Sequence, residues 1–327
     1  MNSAAHYSSL SISLLAVGGG LAMLVTGGES LVSGASRLAR HFGMSTLLIG
    51  LTVIAFGTSI PELFVSLTAT LQGHPGIMLG NVVGSNIANI GLILGISLTF
   101  KSISVEFHHI RTEYFLGLAA GLILLVCASF GYFPRSLGVV FVLVLFLYTL
   151  HVYRRENDGD SANDEDSGPT PLNSHPGLCF PVASLLITGG FLLLSFGSNI
   201  FIRGAVDVAR HFQVNELIIG LTLAAIGTSL PELAAGLAAI RRNEADLLMG
   251  NIIGSNLFNL YMVLGLTAAI SPLSLARQLL YRDLPAMLGF TLILLPILGP
   301  KGRTRRPAGI LLLVAYLLYC LSLAQPR

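Results

Sequence analysis

The sequence predicts an all-α integral membrane protein of about ten transmembrane helices, arranged as two inverted-topology repeats of five. Three observations carry that prediction. First, only 10% of the 327 residues are charged, 53% are hydrophobic, and the mean hydropathy is +0.78. A soluble chain carries roughly 25% charged residues, so this one could not cover a core of its size with a charged shell. Second, apolar runs of about the 20 residues needed to cross a bilayer follow one another along the chain. Third, residues 45–100 align with 215–270 at a constant offset of 170 without gaps, and 22 of the 56 positions are identical.

The expected spans are 9–36, 46–71, 77–99, 111–131, 135–153, 178–207, 216–240, 246–270, 283–299 and 307–325. The first and sixth are long for one crossing, which predicts tilt. They carry the glycine clusters Gly18–Gly20 and Gly189–Gly190, and small residues let helices approach closely in lipid. The N-terminus lacks a basic n-region, so the first run reads as a retained span and not a cleaved signal.

A connector over 154–177, rich in Asp, Glu, Ser, Pro and Gly, separates a first half (1–153) from a second (178–327). Its acids lack the spacing of a calcium-binding loop, so it reads as a solvated linker. With the N-terminus outside, twelve Lys and Arg fall in the cytoplasmic connections and six on the other side. The positive-inside rule then places both termini outside and the acidic linker in the cytoplasm. Five spans per half start and end on opposite faces, so the second half enters inverted.

The composition also excludes classes of function. No basic cluster exceeds Lys301, Arg303, Arg305 and Arg306, which argues against nucleic acid as a partner and leaves lipid. Cys127, Cys179 and Cys320 are far apart in sequence and have no metal-ligand spacing. No nucleotide motif is visible, and no resident cofactor is expected.

The repeat is concentrated in two blocks. Gly57-Thr58-Ser59-Ile60-Pro61-Glu62 recurs as Gly227-Thr228-Ser229-Leu230-Pro231-Glu232, and Gly80-Asn81-Val82-Val83-Gly84-Ser85-Asn86 recurs as Gly250-Asn251-Ile252-Ile253-Gly254-Ser255-Asn256. Shared Leu and Ile mean little in apolar helices. Shared polar residues mean more, because each is costly in lipid.

Glu62 and Glu232 are the only acids in the interior of the second, third, seventh and eighth spans, and no Lys or Arg lies deep within these spans. A carboxylate at the bilayer centre costs at least about 2.5 kcal/mol, so it must face protein, water or a cation. Pro61 and Pro231 free the carbonyls of Gly57 and Gly227. Freed carbonyls and hydroxyls are hard oxygen ligands that suit Ca²⁺ and Na⁺.

On the third and eighth spans, Asn81, Ser85 and Asn89 form an i, i+4, i+8 stripe, repeated by Asn251, Ser255 and Asn259. Asn81, Asn86, Asn251 and Asn256 read equally well as polar glue between helices. Inverted repeats with broken helices mark secondary transporters, with the site near the midplane.

These paired blocks resemble the two alpha-repeats of the cation/calcium exchanger superfamily, the sodium/calcium exchanger family, and most closely its prokaryotic calcium/sodium antiporters. The repeats then correspond to about 45–100 and 215–270. The resemblance implies that Glu62 and Glu232 are the central Ca²⁺ ligands. It implies that Thr58, Ser59, Thr228 and Ser229 supply oxygens around them, with the backbone carbonyls of Ala55 and Ala225. From the facing helices it brings Ser85, Asn89, Ser255 and Asn259. Many members carry aspartate where Asn259 stands, so this site has two carboxylates where those relatives have three.

The implied activity is antiport of Ca²⁺ against Na⁺ by alternating access, in a prokaryotic inner membrane, with the long first and sixth helices as the moving bundle. Coupling to H⁺ or K⁺ remains an alternative, as does a membrane-embedded enzyme using the two carboxylates as acid and base. The sequence leaves the oligomeric state open. One chain supplies every site residue, so a monomer suffices for transport.

Overall fold

The computed structural model describes residue 7 and residues 9–157, 176–213, 227–277, 279–298, 304 and 306–323. The membrane helices are α1 (Leu10–Phe42), α2 (Thr46–Thr58 and Ile60–Leu71), α3 (Pro75–Phe100), α4 (Phe107–Ser129) and α5 (Arg135–Asn157). The second half supplies α6 (Pro176–His211), α7 (Leu230–Arg241), α8 (Ala245–Ile270), α9 (Leu279–Leu298) and α10 (Arg306–Leu323).

Among the described residues eight helices are each long and apolar enough to cross a membrane, and the two parts of α2, bent by 44°, make a ninth. Of the expected 216–240 span, 216–226 lies outside the described residues, and α7 forms most of the rest. Helix α5 continues to Asn157 and α6 starts at Pro176, so helix extends into both ends of the expected connector. The rest of the connector lies outside the described residues.

Burial ranks the helices. In α3 and α8, 78% of the most apolar window is buried, against 11–33% in the other six spans. Helices α3 and α8 therefore form the centre, while outward-facing side chains of the surrounding helices, such as Leu15, Phe64, Phe146 and Leu185, are exposed. Both central helices change pitch midway. Asn89–Leu94 and Phe258–Leu264 are π-helical, and so is Gly50–Ile54 in α2. Single π-turns of this kind occur frequently at functional sites.

The halves are related by a pseudo-two-fold exchange. The end of α3 packs on α10, while the end of α8 packs on α5. Glycines make both contacts possible. A Cβ on Gly309 would lie 2.7 Å from the Gly95 carbonyl, and one on Gly138 would lie 2.6 Å from the Gly265 carbonyl. Loops repeat the exchange. Tyr132–Phe133 pairs antiparallel with Leu273–Ser274, a short strand pair that the helical reading omitted. On the equivalent loops, Ile103 and Thr304 exchange hydrogen bonds at 2.9 Å.

Helices α1 and α6 run antiparallel along a seam of small residues. A Cβ on Gly20 would lie 2.6 Å from Phe201 N and 2.8 Å from the Gly197 carbonyl; one on Gly190 would lie 2.9 Å from the Gly27 carbonyl. Gly34 meets Ala183, and Gly204 meets Ser13, in the same way. The contacts recur every seven residues on both helices, so the backbones stay close along the whole pair. Against the core, Glu29 of α1 binds Arg242 at 2.8 Å and Arg241 at 3.4 Å.

Candidate cation site

Both Gly-Thr-Ser-x-Pro-Glu blocks form the same break. Ser59 has φ −89° and ψ 5°, Ser229 has φ −88° and ψ 6°, and a new helix begins at the next residue with proline in its first turn. Proline removes one N–H and forbids a continuous helix, while its fixed φ suits the first turn of the next. The glutamate then falls in that first turn, where the helix N-terminus favours negative charge.

The two breaks come together in the centre of the protein. Glu62 and Glu232 are 0% and 1% exposed. The Ser59 hydroxyl donates to Glu232 Oε1 at 3.1 Å, crossing from one half to the other.

The central helices close the site by the same exchange. The Thr58 hydroxyl lies 3.2 Å from Asn251 Oδ1 and 3.1 Å from the Ile54 carbonyl. The Thr228 hydroxyl donates to Asn81 Oδ1 at 3.4 Å. The Asn81 amide donates to the Glu62 carbonyl at 3.0 Å and to Ser66 Oγ at 2.9 Å. These asparagines therefore tie each broken helix to its neighbours and orient the hydroxyls beside the glutamates. Ser66 was not singled out in the sequence, because its partner in the repeat is Gly236.

Asn89, Ser255 and Asn259 are buried, as is Ser85. Asn89 and Asn259 stand in the π-turns. The Ala55 carbonyl accepts from Ser59 N at 3.1 Å and lies 3.5 Å from the Thr58 hydroxyl. Ala225 lies outside the described residues. One of the two proline-freed carbonyls is already taken, since the Ser198 hydroxyl of α6 donates to Gly227 O at 2.8 Å.

Among the described residues, a dense set of site atoms is buried without a hydrogen-bond partner: both oxygens of Glu62, Oε2 of Glu232, the hydroxyls of Ser229 and Ser255, Oδ1 of Asn89 and both amide atoms of Asn259. An unsatisfied buried polar group costs about 1–3 kcal/mol. Such a concentration, with two acids and no base, is chemically suited to a hard cation with oxygen ligands.

The model of the family described as sodium/calcium exchanger protein matches residues 12–154 and again 182–324. The chain belongs to this family. The two matches fall on the two halves. The chain is 30% identical over 338 residues to the sodium/calcium exchanger MaX1 of Methanosarcina acetivorans, covering 93% of this chain and 96% of that one. It is 37% identical over 289 residues to the inner membrane protein YrbG of Escherichia coli, covering 87% of each. Among solved structures, the sodium-calcium exchanger NCX_Mj soaked with Na⁺ and Sr²⁺ superposes with a TM-score of 0.79 at 29% identity. That match covers 98% of this chain and 100% of the other. The chain is accordingly a multi-pass integral membrane protein of the exchanger fold.

Proposed function

We propose that this protein exchanges Ca²⁺ for Na⁺ through the site between the two broken helices. The observation that carries this reading is the pair of buried glutamates, Glu62 and Glu232, joined across the halves through Ser59, amid oxygens left without a hydrogen-bond partner among the described residues. Two carboxylates neutralise one Ca²⁺ or two Na⁺, so either load leaves the same net charge in the membrane. That equivalence is the electrostatic basis of exchange. Thr58, Ser59, Thr228, Ser229, Ser85, Asn89, Ser255, Asn259 and the carbonyls of Ala55 and Ala225 complete the ligand set.

Helices α1 and α6 form the moving unit. Their glycine seam makes them one body, and they lie across both breaks: Gly57 packs on Phe191 and Gly227 on Ile202. A shift of this pair would uncover the site to one side at a time. Residues 1–153 and 178–327 act as the two halves, joined by the 154–177 linker in the cytoplasm. Both termini lie outside a prokaryotic inner membrane, and a single chain performs transport without a resident cofactor or chemical turnover.

The test is ⁴⁵Ca uptake into proteoliposomes with imposed Na⁺, K⁺ or H⁺ gradients. Uptake should follow the Na⁺ gradient, and Glu62→Gln or Glu232→Gln should each abolish it while the protein still inserts. Uptake driven by the pH gradient alone would replace Na⁺ with H⁺ as the coupling ion. Near-normal flux in both variants would refute the site.

A further inference from the structure

A third buried carboxylate lies apart from the exchange site. Glu113, in the first helical turn of α4, is 7% exposed. Its Oε1 accepts a hydrogen bond from the Tyr148 hydroxyl of α5. Its Oε2 is buried without a partner.

The second half contains the counterpart. The repeat places Asp283 opposite Glu113, and Tyr319 donates to Asp283 Oδ1 at 3.3 Å. The two copies differ in charge. Asp283 is held by Arg282 at 2.7 Å and 3.3 Å, whereas the residue before Glu113 is Thr112. Arg111 sets its guanidinium over the Phe115 ring, 5.9 Å from the centroid. No ion pair to Glu113 occurs among the described residues. Among the described residues, one half thus carries its own counter-charge and the other does not.

Glu113 lines a cavity of about 30 Å³ between α3, α4, α8 and α9. Its polar wall is Glu113, Tyr114, Asn86, Asn256 and Thr291. The Tyr114 hydroxyl is also buried without a partner. A single water needs roughly 10–15 Å³ by this measure, so the space has room for an ion with about one water and not for a full hydration shell. Carboxylate, phenol, amide and hydroxyl oxygens form a hard donor set.

We propose that this cavity is a second cation site, distinct from the exchange site, that holds one largely dehydrated monovalent cation of Na⁺ size on Glu113. One carboxylate neutralises one positive charge, and a divalent ion would leave a net charge buried in its place. A proton on Oε2 would fill none of the cavity and would leave the Tyr114 oxygen as it is. The site adjoins the transport machinery through one bond: the Asn89 amide donates to Asn256 Oδ1 at 3.0 Å. Occupancy on one side of that bond is felt by Asn89 on the other.

The experiment measures ²²Na⁺ binding to purified full-length protein carrying Glu62→Gln and Glu232→Gln, with choline as the ionic-strength control. The double variant should retain one saturable Na⁺ per chain, and adding Glu113→Gln should abolish it. If that triple variant does not elute as a single species, Tyr114→Phe in the double background decides, with an affinity loss of several-fold expected. Absence of saturable Na⁺ binding in the double variant overturns the proposal, as does binding unchanged by Glu113→Gln or by Tyr114→Phe. Unchanged binding would leave Glu113 as a proton carrier or a tether for Tyr148. Failure of the exchange reading shows instead as ⁴⁵Ca flux that survives loss of Glu62 and Glu232, so the two outcomes are separable.

Discussion

The seam between α1 and α6 allows a comparison of adjacent glycines. An alanine Cβ at Gly20 would lie 2.6 Å from Phe201 N, whereas ordinary contact begins at 3.4 Å, so α6 must withdraw by about 0.8 Å. The obstacle is backbone, which no rotamer change can clear. Overpacking of this kind costs about 1–3 kcal/mol. Against it, alanine is the better helix former by about 1 kcal/mol. At Gly19 nothing among the described residues lies within 4 Å of the added carbon, and only the propensity gain operates.

Gly20→Ala should therefore be less stable than Gly19→Ala by about 1–3 kcal/mol, although the substitutions are chemically identical and one residue apart. Reversible unfolding by SDS in mixed micelles, followed through tyrosine fluorescence, measures the difference. Gly190→Ala should repeat the loss, since its Cβ would meet Leu31 N at 2.8 Å. Equal stability of the Gly19 and Gly20 variants would refute the close approach of the two backbones.

Ser198→Ala removes the donor to Gly227 O and should destabilise the protein by about 1–3 kcal/mol in the same unfolding assay. An unchanged midpoint would mean that the carbonyl is satisfied elsewhere. Asn259→Asp raises the charge of the exchange site from two carboxylates to three. Ca²⁺ should bind more tightly and more monovalent ions should couple to each cycle. The reversal potential of Ca²⁺ flux at fixed Na⁺ gradients reports the stoichiometry, and an unchanged potential would show that site charge does not set it.

Much of this architecture was legible because lipid makes polar residues expensive. Thr58, Ser59, Pro61 and Glu62 stand out against apolar neighbours, and their recurrence 170 residues later announces both the site and the inversion. Asn81 and Asn251 were visible, but whether they act as glue or ligand depends on which helix each one faces. The structure places both on the hydroxyls of the opposite half.

The π-turns at Asn89 and Asn259 were not legible, since a shifted backbone hydrogen bond leaves no mark in residue type. Neither was the Ser198 cap, because its counterpart in the repeat is Gly28. The seven-residue spacing of Gly20, Gly27 and Gly34 was present in the sequence, and again at Gly190, Gly197 and Gly204. It gained meaning only when the two helices were known to be partners.

The exchange of partners at Gly95 and Gly309 bears on how the chain is made. Helix α3 enters the membrane early in synthesis, yet the surface it presents at Gly95 is covered by α10, which leaves the ribosome long after it. Until then Gly95 lacks that cover. Helix α8, by contrast, emerges to find α5 already in place. The two copies of the same contact are thus completed at different moments, one on arrival and one only after α4 to α9 have been made. A quality-control system that inspects membrane proteins for uncovered helix faces would register the first half as unfinished until α10 docks.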